Sequence, residues 1–143
     1  MGHIETSKHL AAPADRVWAA IAAPAAWGDW LTIHAGWLEE PPATLAVGAR
    51  LVEKVVMLGM ANKLEWTVET LEARSRVVIE GKGMAGVKSR FEFALAPEGE
   101  GTTVRIIAEF EGSMIVGALG KAVERDAAKN LAQSLDNLAK ATA

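Results

Sequence analysis

The spacing of the apolar residues changes once along the chain, and this change limits the folds that the chain can adopt. Between about residue 33 and residue 112, apolar residues recur at every second position, as in strands with one buried face. From residue 115 to residue 141 they recur at spacings of three and four, as along one side of an α-helix. The order predicts an antiparallel sheet whose apolar face is covered by a long C-terminal helix.

Turn-forming residues divide the alternating part into six predicted strands, and no helical sequence lies between them. Hairpin connections and an antiparallel sheet are therefore expected. A seventh strand is predicted over residues 3–10, before two short helical segments at 15–22 and 25–31. The six later strands are predicted at 33–39, 50–58, 63–71, 77–82, 87–96 and 103–111.

The last segment is predicted to form a helix of about 25 residues, which would be nearly 40 Å long. A helix of that length can lie across the concave face of a six- or seven-stranded sheet. Its predicted apolar stripe consists of Val116, Leu119, Val123, Ala127, Leu131, Leu135 and Leu138.

Composition excludes several classes of function. The 143 residues carry a formal net charge of only -3 and no clustered basic segment, so nucleic-acid binding is not expected. The chain has no cysteine and only three histidines, so neither a metal site nor a bound cofactor is predicted. No apolar run reaches the ~18 residues of a membrane span, and no secretion signal is present, so a cytoplasmic protein is expected.

Three segments in this order resemble the START-like superfamily, also called SRPBCC, and in particular its bacterial polyketide cyclase/dehydrase and lipid-transport group. They are APADRVW at 12–18, WGDW at 27–30, and the stretch from Pro97 to Val104 that leads into the last strand. The resemblance implies an α+β helix-grip fold, with residues 1–143 as a single START-like domain. It also implies a pocket between the sheet and the C-terminal helix.

A narrower resemblance is to actinobacterial START-like proteins described as toxin components of toxin–antitoxin pairs. Three segments carry it: WLTIHAGW at 30–37, GMANKLEWT at 59–67 and GMAGVK at 83–88. The resemblance implies a protein antitoxin as a partner. The toxic mechanism does not follow from these residues.

The predicted ligand site is the space left where a straight helix spans a curved sheet, with a volume of ~300–1,000 Å³. Its ligand would be an apolar small molecule such as a lipid, an isoprenoid or a polyketide. Trp30 and Trp37 are predicted to gate it, and methionines near the rim would adapt to varied ligands. The remaining predicted lining is Met57, Met60, Trp66, Val68, Ile79, Phe91, Phe93, Ile106, Phe110, Met114, Leu119 and Val123. The alternative interpretation is that these side chains pack as an ordinary core.

Two polar residues are candidates for proton transfer within this apolar setting. By strand alternation His34 shares the face of Leu38 and points inward, where its imidazole could orient or protonate a carbonyl group. Glu53 faces inward if Leu51, Val55 and Met57 do, and it could then act as a base. The other register of this strand buries Val52 and Val56 and leaves Glu53 in solvent.

Three functions remain open at this stage. The chain is a carrier or sensor of an apolar molecule, a polyketide cyclase or aromatase that uses His34 or Glu53, or the toxin of a type II pair. A homodimer or partner surface is a further possibility, because four apolar residues face outward if Met57 and Ile106 face inward. These residues are Val52, Val56, Leu58 and Ile107.

Overall fold

The computed structural model describes residues 2–83, 86–113 and 115–143, and it places seven strands in one curled antiparallel sheet. The sheet order is β1-β7-β6-β5-β4-β3-β2, so successive strands from β2 to β7 are hairpin neighbours and β1 adds to the far edge. The strands are β1 (Gly2–Leu10), β2 (His34–Trp37), β3 (Arg50–Met57), β4 (Met60–Glu72), β5 (Arg76–Lys82), β6 (Lys88–Glu98) and β7 (Gly101–Glu111). The helices are α1 (Ala14–Ala22), a 3₁₀ helix (Pro24–Asp29) and α2 (Gly117–Ala141). The predicted helix-grip fold is confirmed.

Two short helices follow β1 and close one end of the sheet. The helix α1 buries Val17 and Ile21, which lie four residues apart on one side, and Pro24 ends its hydrogen bonding. Trp27 in the 3₁₀ helix is buried, and its indole N–H donates to the carbonyl oxygen of Ile21 at 2.9 Å. This bond satisfies a polar atom that would otherwise be costly to bury.

The helix α2 covers the sheet with its C-terminal part, where Ala127, Leu131, Leu135 and Leu138 are buried. The N-terminal part of the predicted stripe is not buried. Val116 precedes the helix and is exposed, and Leu119 in the first turn is 41% exposed. The stripe prediction is wrong at these two positions, because the first turns of the helix extend beyond the packed core.

Polar contacts hold α2 to the loop before β2. The backbone N–H of Thr32 donates to Ser134 Oγ at 2.9 Å, and Thr32 Oγ1 donates to the carbonyl oxygen of Asn130 at 2.9 Å. At the opposite edge of the sheet, Lys8 of β1 pairs with Asp136 at 3.0 Å. These contacts position the C-terminal half of the helix on the sheet.

A β-bulge changes the predicted facing of β2. The register with β3 shifts between His34 and Gly36, so the strict alternation from His34 to Leu38 is broken. The His34 side chain is 7% exposed, whereas Leu38 is 51% exposed. The expectation that these two residues share a face is therefore wrong, although His34 does point inward.

The β3–β4 hairpin has a two-residue turn, Leu58-Gly59, with φ values of 53° and 73°. Positive φ at both positions matches the twist of tight hairpins, but it is unusual for leucine. The turn lets β4 begin at Met60 instead of residue 63.

The proposed outward apolar patch does not form as expected. Val52 is buried, Val56 is only just exposed, and Leu58 lies in this turn instead of on the outer face. Ile107 is half-buried, so the four residues do not form one exposed apolar patch, and a homodimer stays a prediction.

Gly81 of β5 allows an indole ring to lie against the strand backbone. A Cβ atom at this position would be 2.6 Å from Cε3 of the buried Trp66 on the neighbouring strand β4. A real Cβ would force either the ring or the strand to move. The packing of Trp66 in the sheet interior thus requires a residue without a side chain at position 81.

Replacing Gly81 by alanine is expected to lower the free energy of unfolding by about 1–3 kcal/mol through overpacking against Trp66. The matched control is Gly36→Ala, where an added Cβ meets no atom within 4 Å. Urea unfolding followed by tryptophan fluorescence measures both variants. Equal midpoints for G81A and G36A would contradict this explanation.

Candidate functional site

A cavity of about 310 Å³ lies at the end of the sheet that is covered by the first turns of α2. The end of β3, the start of β4, the β5–β6 connection and the end of β7 meet there, and they face the segment that begins α2. The described lining residues are Val55, Met57, Leu58, Met60, Asn62, Leu64, Gly83, Val87, Ser89, Phe110, Ile115, Leu119 and Val123.

The lining is almost entirely apolar. Among the described lining residues, only Asn62 and Ser89 carry polar side chains, and neither is charged. The Asn62 amide donates to the carbonyl oxygen of Met60 at 3.1 Å, so part of its hydrogen-bonding capacity is used at the rim. The cavity is therefore suited to hydrocarbon surface.

Exposed apolar side chains surround the mouth of the cavity. Met60 is 59% exposed and Leu119 is 41% exposed, and they project from the hairpin and from the helix respectively. Asp126 joins these two elements, because its carboxylate accepts a hydrogen bond from the backbone N–H of Leu58 at 3.0 Å.

The structure brings together five of the predicted ligand-binding residues and separates the others. Met57, Met60, Phe110, Leu119 and Val123 line the cavity. Met114 lies outside the described residues. Six others are buried within the sheet interior and do not line the cavity: Trp66, Val68, Ile79, Phe91, Phe93 and Ile106.

Aromatic packing explains why the middle of the sheet is filled. The rings of Trp66 and Phe91 lie 5.2 Å apart, and Phe91 lies 5.8 Å from Phe110. Phe93 contacts the ring of Trp30 edge-on at 5.9 Å. Edge-to-face contacts at these distances are favourable and leave little empty space. The predicted pocket is therefore displaced toward one end of the sheet.

Trp30 and Trp37 do not stand at the cavity mouth as the gate prediction supposed. Trp30 is fully buried, and its indole N–H points to the carbonyl oxygen of Ala20 at 3.4 Å. Trp37 is half-buried beside Trp27, at 5.4 Å between ring centroids, and donates to the carbonyl oxygen of Pro24. The Trp37 ring instead joins β2 to the 3₁₀ helix, and the Trp30 ring packs between α1 and Phe93 of β6.

Glu53 and His34 do come together, on adjacent strands of the inner face. Glu53 is 1% exposed, and its Oε2 lies 2.5 Å from Nδ1 of His34. Its Oε1 accepts a hydrogen bond from the Trp66 indole N–H at 2.8 Å. Each carboxylate oxygen thus has a partner, and neither His34 nor Glu53 lines the cavity. Their catalytic role stays a prediction.

Sequence reasoning missed several lining residues, and strand alternation could have indicated some of them, as Ser89 shows. Ser89 lies two positions before Phe91 on β6 and therefore shares its inward face. Leu58 could not be found in this way, because its position depends on the turn geometry. The other missed residues are Val55, Asn62, Leu64, Gly83, Val87 and Ile115.

A second, charged groove of about 460 Å³ lies on the outer face of the sheet. Ion pairs cross it, including Arg50–Glu65 at 3.4 Å and Arg90–Glu109 at 3.5 Å. The pKa of Glu80 in this groove is raised, chiefly by a hydrogen bond with Glu69 and then by burial and repulsion from Glu69, while Arg90 and Lys88 act in the opposite direction. Charged side chains of the outer face make up most of the described lining of this groove, which shares Ser89 and Phe110 with the lining of the cavity.

Two general features bear on function. In the described ranges, no group of three or more histidine, cysteine, aspartate or glutamate side chains is placed to hold a metal ion. No helix among the same residues is long and apolar enough to cross a membrane.

Replacing Glu53 by alanine is expected to lower the free energy of unfolding by about 3 kcal/mol, because the buried Trp66 and His34 lose their acceptor. Glu53→Gln keeps an acceptor oxygen for Trp66 and should cost about 1 kcal/mol. The control is Glu39→Ala, which removes an exposed carboxylate that pairs with Arg50 and should change stability by less than about 0.5 kcal/mol. Urea unfolding at pH 7 measures all three, and an E53A variant as stable as E39A would rule out this bridging role.

The Glu69–Glu80 pair predicts a small pH effect. Because the folded-state pKa of Glu80 is raised, its contribution to stability is present below the usual glutamate pKa and is lost as pH rises through the folded value. Glu69→Gln is therefore expected to stabilise the protein at pH 7 by at most about 0.5 kcal/mol, and not below about pH 4. Glu111→Gln removes the same charge from the groove that contains Glu80, without touching the Glu69–Glu80 pair, and serves as the control. A pH-independent gain in E69Q would contradict the assignment.

Comparison with known proteins places the fold and the site in context. A Thermus thermophilus protein, TTHA0849, superposes with a TM-score of 0.81 at 19% identity, covering 98% of this chain and 96% of that one. DynU16, a protein from the dynemicin biosynthetic locus, gives a TM-score of 0.70 at 18% identity, covering 98% of this chain and 46% of that one. Identities this low show a shared fold alone.

Sequence comparison goes further. Toxin Rv0910 of Mycobacterium tuberculosis H37Rv is 26% identical over 137 residues, which cover 96% of this chain and 95% of the relative. The sequence profile of the family described as "Polyketide cyclase / dehydrase and lipid transport" matches residues 1–143. The chain therefore belongs to the polyketide cyclase/dehydrase and lipid transport family.

Proposed function

We propose that the protein binds an apolar small molecule in the cavity beneath the first turns of α2, as a carrier or sensor. The observation that supports this most directly is the cavity itself, about 310 Å³ in volume with an almost wholly apolar lining. That volume is at the lower end of the range of known ligand sites, ~300–1,000 Å³.

The energetics of such a cavity favour an apolar guest. A space lined by hydrocarbon has few hydrogen-bond partners for water and is poorly hydrated. Each square ångström of apolar ligand surface removed from water contributes about 25 cal/mol toward binding. The exposed side chains of Met60 and Leu119 extend this apolar surface to the mouth.

The comparisons agree with a binding function of this kind. The family description names both lipid transport and polyketide chemistry, and DynU16 comes from a biosynthetic locus. A cyclase would need a proton-transferring group at the cavity, whereas no side chain in the described lining titrates near neutral pH. The carrier proposal therefore needs fewer assumptions than the proposal that the protein is a cyclase.

Filling the cavity tests this proposal. Val123→Trp places a large ring in the lining and is expected to weaken binding of an uncharged fluorescent probe, N-phenyl-1-naphthylamine, by at least about tenfold. Val47→Trp adds the same ring at a residue that is 66% exposed and outside the lining, and should bind like the unmodified protein. Fluorescence titration measures the dissociation constants, and circular dichroism checks that both variants fold.

Two results would count against a binding function. One is a probe signal in the unmodified protein that does not saturate, and the other is equal affinity in V123W and V47W. Native mass spectrometry of freshly purified protein gives an independent readout, because a resident ligand adds a defined mass that V123W should lose.

A second candidate function is that of a toxin neutralised by a protein antitoxin. The supporting observation is the name of the Mycobacterium tuberculosis relative, which is similar over nearly the full length of this chain. Induced expression in an actinobacterial host is expected to slow growth, and co-expression of the antitoxin encoded beside it should restore growth. Normal growth at an equal protein level, checked by immunoblot, would reject this candidate.

A further inference from the structure

Ser89 carries a buried hydroxyl group that has no hydrogen-bond partner. The residue is 5% exposed, and among the described residues its Oγ is the buried side-chain polar atom without a partner. Leaving a buried hydroxyl unpaired is unfavourable, so such groups in folded proteins usually have a partner that completes them. The Ser89 hydroxyl therefore has hydrogen-bonding capacity that the described part of the protein does not use.

The position of Ser89 shows where such a partner would lie. Ser89 pairs with Gly81 on β5 and with Phe110 on β7, so it belongs to the inner face of the sheet and lines the cavity. Gly81 offers no side chain beside it, and Phe110 offers only an apolar ring. Ser89 also borders the charged groove of the outer face, but it alternates with the inward-facing Phe91, so its side chain is on the cavity side of the sheet. Rotation about the single χ1 bond of serine moves the hydroxyl among staggered positions around Cβ on that side.

The rest of the lining limits the charge of the ligand. Among the described lining residues there is no lysine, arginine, histidine, aspartate or glutamate. A carboxylate or ammonium group in this cavity would lose its hydration without gaining an opposite charge, which is strongly unfavourable. A neutral hydroxyl or carbonyl oxygen needs only one hydrogen bond, and serine can serve as donor or acceptor.

We propose that the ligand is a neutral amphiphile with one hydroxyl or carbonyl oxygen, bound with this oxygen at Ser89. Its hydrocarbon part then extends past Val123 and Leu119 toward the mouth. This inference rests on the proposed binding function and adds a ligand class, an orientation and a specificity-determining residue.

The test uses three ligands of similar size: 1-octanol, n-nonane and octanoate, each competing with the fluorescent probe at pH 7. Ser89→Ala is expected to weaken 1-octanol binding by about three- to tenfold and to leave nonane binding unchanged within about twofold. Octanoate is expected to bind the unmodified protein at least about tenfold more weakly than 1-octanol. Because 1-octanol and nonane are each measured in the unmodified protein and in S89A, the difference between their hydration free energies cancels.

Two control variants separate recognition from structure. Ser89→Thr keeps the hydroxyl and should retain the tight binding of 1-octanol, and Ser75→Ala removes an exposed serine in the β4–β5 turn and should change nothing. Because the Ser89 hydroxyl is unpaired, S89A should unfold at a urea midpoint no lower than that of the unmodified protein. A merely structural role for Ser89 would lower that midpoint and weaken both neutral ligands together.

The possible failures are distinguishable. Equal effects of S89A on 1-octanol and nonane would overturn the assignment of Ser89 and leave the carrier function standing. Octanoate binding as tight as that of 1-octanol would overturn the neutral class. A protein that binds the probe and none of the three ligands would overturn this inference alone, and one that binds no apolar molecule, the probe included, would overturn the proposed function as well.

Discussion

The apolar face of the curled sheet is larger than the surface that one helix can cover. The rest of the structure depends on which other side chains cover the remaining apolar surface. The C-terminal part of α2 covers the sheet with Leu131, Leu135 and Leu138. Aromatic rings fill the middle, where Trp30 and Phe93 meet edge-on. Beneath the first turns of α2, where Leu119 is 41% exposed, the cover is incomplete and the cavity lies there. Packing density elsewhere in the interior thus determines where space for a ligand remains.

Two polar groups inside the core differ in their hydrogen bonding, and this difference distinguishes a structural role from a role in ligand binding. Glu53 accepts hydrogen bonds from Trp66 and contacts His34, so both of its oxygens are occupied within the protein. Ser89, three strands away in the same sheet, has no such partner. The first arrangement fixes strands and an indole ring in place, whereas the second leaves hydrogen-bonding capacity for something that is not part of the chain.

The sequence was sufficient for the fold, because alternation and helical spacing are local patterns that the physical periods of strand and helix impose. Ile79, Phe91 and Ile106 face inward as the alternation predicts. The ligand site was harder to predict from the sequence. The bulge at His34 and the left-handed turn at Leu58 change facing locally, and neither leaves a periodic signal. Buried aromatic residues can either fill a space or surround one. Which of the two occurs depends on distances between strands, and the local sequence pattern of one strand does not reveal these distances. Ser89 was accessible to the same alternation argument, since its parity on β6 matches that of Phe91.

The hydrogen bond between Leu58 and Asp126 has a consequence for how a guest could pass in and out. It joins the tip of the β3–β4 hairpin to α2, and the Leu58 N–H lies beyond the last paired residues of the hairpin, Met57 and Met60. Moving the hairpin tip away from the helix therefore breaks this hydrogen bond and leaves the described strand pairings of the sheet intact. The opening between hairpin and helix therefore depends on a contact that lies outside the strand pairing, and a guest that displaces the hairpin tip unpairs no strand.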